Sequence, residues 1–358
     1  MNNIDIRSLS KIITNGIFVI TLIVVLLSLV PVFFPALIAR LESGYPSTIN
    51  PYELGPWAIP ILVVNMILLS ITILYYGKMF PEKITRSIRF IFNFETSRKI
   101  TFLIILILIS AYIGLNVGKV FVPLKDWPDY IGTYKTVEQF DASQFFKTIP
   151  APVIHYGLLK ISLETLGNIK IIPFVESVSL LLLTYFITKE ITQKRFAGII
   201  SMVILMQSNL FLRYDTDYAY TNAWALFYIL SLYLIQKKQW HLSIISYVLS
   251  ILSKALSILF LPMTFFLIYK SDISRKMRII NTIGYALLFT LSIMVTRTGY
   301  SKISLHLDQF WIGFTALENF LHFDGLILIF LLPLVTGLFV MSRRGILHAN
   351  SMMVLITG

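Results

Sequence analysis

Repeated apolar runs of about 17 to 23 residues constrain this chain more than any other feature, because that is the length a helix needs to cross about 30 Å of hydrocarbon. They begin near Ile17, Trp57, Thr101, Ile171, Phe196, Ala219, Ile279 and Gly325. A longer run from Trp240 to Tyr269 is interrupted by Ser253-Lys254 and reads as two short spans hinged at the lysine. The pattern predicts an all-α polytopic membrane protein of about ten transmembrane helices. Composition agrees, with 56% hydrophobic residues, far above a soluble domain. The first run, Ile17 to Ala39, is too long for a signal-peptide core and lacks a small-residue cleavage site, so it reads as a retained anchor. With no cysteine there is no disulfide and no thiolate metal site.

The formal charge of +12 raises the possibility of nucleic acid, but its placement argues for a topology signal. With the N-terminus inside and one crossing per run, 19 of the 30 basic residues fall in short inner loops, the pattern of the positive-inside bias. The most basic of these loops carries Lys78, Lys83, Arg86, Arg89, Arg98 and Lys99. Anionic membrane lipid is the expected partner of this charge, and nucleic acid is not. Of the 18 acidic residues, 13 lie in or beside the outer loops. Acidic residues contribute little to orientation, so their gathering on one face points there for chemistry.

The outer loops are unequal. Residues 123 to 170 form a long one, in which Thr136 to Lys147 and Val153 to Leu166 alternate apolar and charged positions and read as interfacial helices. A second runs from Arg297 to Asp324 and is rich in aromatic residues, an interface belt with Glu318 as a solvated charge. Between two apolar runs, "RYDTDYAY" (213–220) places Asp215 and Asp217 in a gap so short that both are expected at the membrane surface.

The order of these elements resembles the GT-C superfamily of integral membrane glycosyltransferases, which take a sugar from a polyprenyl-phosphate or polyprenyl-pyrophosphate carrier on the extracytoplasmic face. "DWPDYIGTY" (126–134) resembles its first-loop acidic motif, "PAPVIHYGLLKISLETLG" (150–167) its following segment, and "SKALSILFLPMTFFLI" (253–268) its lysine-containing step before a proline-bearing helix. "YDTDYAY" is similar to the second acidic motif of oligosaccharyltransferase catalytic subunits; the acceptor-reading WWDYG motif of that family has no match here. The resemblance covers roughly Ile100 to Arg344. It implies an inverting glycosyltransferase with a GT-C-like bundle, an N-terminal two-helix hairpin with a basic loop over residues 1–100, and a core over 101–358. The closing apolar run reads as the start of an eleventh helix. The implied partners are a polyprenyl-phosphate-linked sugar donor and an acceptor glycan, lipid or protein.

Chemistry independent of any family asks for the same residue types. Sugar transfer from a phosphate leaving group needs a carboxylate to take the acceptor's proton and positive charge to stabilise the departing phosphate. Asp126 or Asp129 is the expected base, Asp126 preferred. Asp215 and Asp217 are the expected ligands of Mg²⁺ or Mn²⁺. Arg213, Lys254 and Arg297 are the cations placed to meet a phosphate, with Tyr130 and His155 beside the substrate. Each residue has a plainer reading. Asp and Pro in "KDWPDY" are ordinary turn residues, and Asp217 is a candidate cap for the next helix. Glu176, Lys254 and His155 read equally as snorkelling or surface side chains. A transporter and a noncatalytic assembly subunit remain the alternatives; the chain shows no internal repeat of the kind transporters carry.

Overall fold

The computed structural model describes residues 3–41, 50–124, 126–141, 152–271, 273–297, 324–344 and 349–357, and among them no strand occurs. Among the described residues four helices are long and apolar enough to cross a membrane, spanning Lys11–Phe33, Ala58–Tyr76, Arg98–Phe121 and Ile171–Thr192. The runs expected from Ile279 and Gly325 form the long helices Arg275–Arg297 and Gly325–Arg343, while those between Phe196 and Tyr269 fold as shorter apolar helices, with serine, aspartate and lysine at the breaks. The run beginning near Phe196 stops at Met206 because the Ser208 hydroxyl accepts from Phe211 N and starts a new, six-residue helix. At about 1.5 Å per residue, the twelve-residue helix Arg195–Met206 is only about 18 Å long. The run expected from Ala219 begins at Ala223, because Asp217 holds the preceding residues in a turn. The run around Lys254 divides as expected: one helix ends at Ser253, Lys254 is extended, and a 3-10 segment Ala255–Phe260 follows.

The chain divides into two compact units, residues 1–94 with 303–358, and residues 95–302. The expected division at residue 100 is thus displaced by a few residues, and the C-terminal segment belongs with the N-terminal helices. In the first unit α1 (Asn3–Phe33) packs on α15 (Gly325–Arg343) and α16 (Ala349–Thr357), and α3 (Ala58–Tyr76) packs on α15. The short helix α2 (Pro35–Leu41) follows α1. Val25, Leu29, Val32, Ile61, Leu328 and Val335 form their common core. Buried amides join the helices: Asn65 Nδ2 donates to Ile329 O at 3.1 Å and Asn350 Nδ2 to Thr14 Oγ1 at 3.1 Å. Such bonds are needed where a polar side chain leaves water. They explain a grouping that apolar periodicity does not reveal.

The second unit begins with α5 (Arg98–Asn116) and the 3-10 segment Val117–Phe121, followed by α6 (Pro128–Glu138), α7 (Val153–Leu166) and α8 (Ile171–Thr192). Then come α9 (Arg195–Met206), α10 (Asn209–Tyr214), α11 (Ala223–Gln236), α12 (Trp240–Ser253), α13 (Leu261–Lys270) and α14 (Arg275–Arg297). Small residues decide the closest helix pairs. A Cβ on Gly198 of α9 would lie 2.8 Å from Tyr185 O of α8, so glycine is what lets these helices meet. On α12, Ser243, Ser246 and Ser250 fall on one helical face. Their hydroxyls donate to the carbonyls of Ser231, Phe227 and Trp224, which form the matching face of α11. Serine at this spacing permits close approach and satisfies the hydroxyl in the same contact.

The amphipathic pattern of the long loop is half met. Helix α7 spans the expected Val153–Leu166; of the expected Thr136–Lys147, residues 136–138 close a helix that runs from Pro128 to Glu138, and residues 142–147 lie outside the described residues. Pro128 opens α6, where its missing N–H and fixed φ suit the first turn. The acidic motif "WPDY" therefore lies on the first turn of a helix. Residues 142–151, most of the aromatic loop with Glu318, and the side chain of Arg297 lie outside the described residues.

Candidate functional site

The site gathers around the loop 215–222, which connects α10 to α11. The turn between α7 and α8 prepares its surroundings. Gly167 takes the left-handed conformation (φ +70°) that closes α7. Past it, Asn168 Nδ2 donates to Val120 O at 3.0 Å and Lys170 Nζ to Val122 O at 2.6 Å. These bonds fasten the segment that leads from α5 into α6.

Asp215 lies at the inner end of the loop and is fully buried, 0% exposed. Lys119 Nζ donates to its two carboxylate oxygens at 3.1 and 3.3 Å, and the Tyr112 hydroxyl donates to Oδ2 at 3.2 Å. The same ammonium donates to Leu212 O at 2.7 Å. The Asp215 carbonyl accepts from Ser177 Oγ at 2.9 Å, and Asn222 Nδ2 donates to that hydroxyl at 3.0 Å. Burial pushes the Asp215 carboxyl above its ordinary range, opposed by the Lys119 ammonium and the Tyr112 hydroxyl. The surface position expected for Asp215 is thus replaced by a buried ion pair.

Asp217, two residues on, accepts from the backbone of its own loop and from a tyrosine. Its Oδ1 accepts from Ala219 N and Tyr220 N, both at 2.9 Å, and its Oδ2 accepts from the Tyr130 hydroxyl at 2.5 Å. The backbone pair is an Asx turn, so Asp217 shapes its own loop; the residue at the N-cap of α11 is Asn222. From the other side, the Tyr220 hydroxyl donates to Asp129 Oδ2 at 2.6 Å. Each acidic motif therefore gives its aspartate to a tyrosine of the other, Asp129 to Tyr220 and Asp217 to Tyr130. Rings pack around the exchange: Tyr130 stands edge-on to Tyr218, centroids 5.3 Å apart, and Tyr214 lies 5.8 Å from Tyr220. Tyr130, Val137, Leu159, Ile169 and Tyr218 form the apolar base.

Charges converge on this lattice. The Tyr218 hydroxyl is pushed up by burial and then by Asp217, Asp126 and Tyr134, which places the Asp126 carboxylate in its neighbourhood. The Tyr220 hydroxyl is pushed up to about 12, first by its bond to Asp129 and then by burial. His155 is buried, contrary to a surface histidine, with Nδ1 at 3.1 Å from Thr221 Oγ1. Burial pulls its imidazole down to about 4, against the Asp217 charge and with that of Lys254. Lys254 Nζ sits 5.4 Å above the Trp224 ring, and Arg213 lies 5.9 Å from the Tyr214 ring. Asp126 is exposed and makes no hydrogen bond among the described residues.

Asp126, Asp129, Tyr130, His155, Asp217 and Lys254 thus come together, Arg213 stands at the edge, and Asp215 faces the other way. The expected metal pair does not fit this arrangement. Lys119 holds both oxygens of Asp215, and Asp217 is bonded at both of its own. Among the described residues no group of three or more acidic or histidine side chains is placed to share an ion. Glu176 is buried at 6% exposure, with Oε2 lacking a hydrogen-bond partner among the described residues. It does not snorkel. Lys119 and Tyr112 escaped the sequence reading. Lys119 had a legible signal, an ionisable residue at the end of an apolar run; Tyr112 had none. Compared with known proteins, the chain matches no family model, no curated protein and no solved structure.

Proposed function

We propose that the protein is a membrane glycosyltransferase of the GT-C kind, moving a sugar from a polyprenyl-phosphate carrier to an acceptor hydroxyl on the extracytoplasmic face. The observation that carries this reading is the reciprocal bonding of "WPDY" and "DTDYAY", Asp129 to Tyr220 and Asp217 to Tyr130, across about ninety residues of chain. Two motifs singled out separately for sugar transfer meet in one place, and Asp126 stands exposed beside them.

In this reading Asp126 takes the proton of the acceptor hydroxyl as the acceptor oxygen bonds to the anomeric carbon and the carbon–oxygen bond to the carrier phosphate breaks. Lys254 and Arg213 receive the negative charge of the departing phosphate. Asp129, Asp217 and Tyr130 act as positioning residues, because Asp217 already bonds to Tyr130 and to the backbone, and Asp129 to the Tyr220 hydroxyl. No step passes through a metal. The ten-span bundle of the superfamily is part of the same proposal, with short helices such as α9 and α12 crossing only in company.

The commitment of Asp129, Asp215 and Asp217 to protein donors is what favours the alternative of a noncatalytic assembly subunit. One substitution separates the two. Asp126→Asn removes a base without removing a described hydrogen bond, so the purified variant should keep its thermal stability. It should also lose at least 100-fold in transfer from labelled polyprenyl-phosphate sugars, the order of magnitude general-base catalysis supplies. Full transfer in the variant would overturn the assignment of Asp126; no transfer by the unsubstituted protein across mono- and pyrophosphate donors would favour the noncatalytic subunit. Addition of a chelator should leave transfer unchanged.

A further inference from the structure

The connection between two of the span-length helices contains a helix with no partner. Helix α4 (Glu82–Asn93) lies between α3, which ends at Tyr76, and α5, which begins at Arg98. Its apolar positions Ile84, Ile88 and Ile91 recur at the i, i+4, i+7 spacing of one helical face. Lys83, Arg86 and Arg89 lie on the other side, with Glu82 as the single acidic residue of the helix. Both sides are largely open among the described residues: Ile84 is 44% and Ile91 65% exposed, Ile88 between them is half-buried, and the Arg86–Glu82 pair at 3.3 Å is open to solvent.

We propose that α4 is an interfacial helix that seats its Ile84/Ile88/Ile91 face in one membrane leaflet while Lys83, Arg86 and Arg89 bind anionic lipid headgroups. Geometry leaves it little alternative when α3 and α5 span the bilayer. A helix too short and too charged to cross, joined at both ends to spanning helices, has both ends on the same side of the membrane. Residues 77–81 and 94–97 are its only tethers, and even fully extended they reach about 17 Å and about 14 Å. The helix is therefore confined to the headgroup region, where an apolar face finds acyl chain and a basic face finds phosphate. Lys78, Arg98 and Lys99 on the flanks add to the same field. A basic face selects a negatively charged leaflet over a neutral one, which is why the partner is anionic lipid.

The chain has no cysteine, so one introduced thiol gives one label. Full-length Ile88→Cys, Arg89→Cys and Leu68→Cys proteins, the last in the middle of α3, are labelled with bimane. Each is placed in nanodiscs of phosphatidylcholine alone or mixed equally with phosphatidylglycerol; both leaflets are accessible there, so sidedness does not enter. With phosphatidylglycerol present, the Ile88 label should emit blue-shifted and resist iodide quenching while the Arg89 label stays quenchable. The shielding at Ile88 should weaken in phosphatidylcholine alone and in the triple variant Lys83→Gln, Arg86→Gln, Arg89→Gln. Equal shielding in both lipids would overturn the anionic preference. Quenching at both Ile88 and Arg89 with Leu68 shielded would overturn the interfacial helix and favour a soluble partner protein for this face. Quenching at Leu68 as well would remove α3 as a span, and the proposal with it.

Discussion

Asp215 and Asp217 are separated by one threonine, yet they are held by different physics. Asp215 is at 0% exposure and is balanced by a cation, with Lys119 on its two oxygens. Among the described residues Asp217 accepts from two backbone N–H groups and a tyrosine hydroxyl, so several donors share it. A buried carboxylate with a single counter-ion depends heavily on that ion. One held by several donors loses a part when any one is removed. The Asp215 half of the loop is therefore the more sensitive part of the structure.

The largest test of this contrast is Lys119→Ala. It leaves Asp215 buried with only the Tyr112 and Thr216 hydroxyls beside it and should cost about 3 kcal/mol in thermal unfolding of the purified protein. Adding Asp215→Asn should recover part of that loss; strictly additive effects would show that the pair is not coupled.

Next comes pH. His155 has a folded-state value of about 4 against an ordinary 6.5, so the unfolded chain binds its proton first as pH falls. The stability this neutral imidazole contributes is fully present above about 6.5 and is lost toward pH 4, on the order of 2 kcal/mol by pH 5 as an upper bound. Unfolding temperatures measured between pH 8 and 5 should show this slope, and His155→Gln should flatten it. An unchanged slope in the variant would place the titration elsewhere.

Smaller again are the hydroxyls of the outer lattice. Tyr220→Phe and Tyr130→Phe should each cost about 1 kcal/mol in the same unfolding measurement, the net worth of one hydrogen bond. A loss at Tyr220 as large as that at Lys119 would erase the distinction between the two halves. Asp126→Asn should change stability least, within about 0.5 kcal/mol, as exposed substitutions away from a network do.

Much of this was legible beforehand, and the parts that were not share a cause. The break at Lys254 and helix α7 follow from local chemistry that a sequence displays. The shortened α9 turned on the capping hydroxyl of Ser208, a signal present in the sequence that competes with an unbroken apolar pattern. The serine stripe of α12 was equally visible, but its meaning needed the opposing carbonyls of α11. Lys119 and Asp215 are nearly a hundred residues apart, and no periodicity joins them.

By itself the sequence determined that this chain is helical, that several of its helices are long and apolar enough to cross a membrane, and which two acidic motifs to watch. Those properties follow from composition and spacing along one segment at a time. Only the tertiary structure decided that Asp215 is an internal ion pair while Asp217 closes an Asx turn, and that Gly325–Arg343 and Ala349–Thr357 pack with the N-terminal helices. Both depend on which groups meet across long separations in the chain, and a buried charge or amide has no fixed character until its partner is in place.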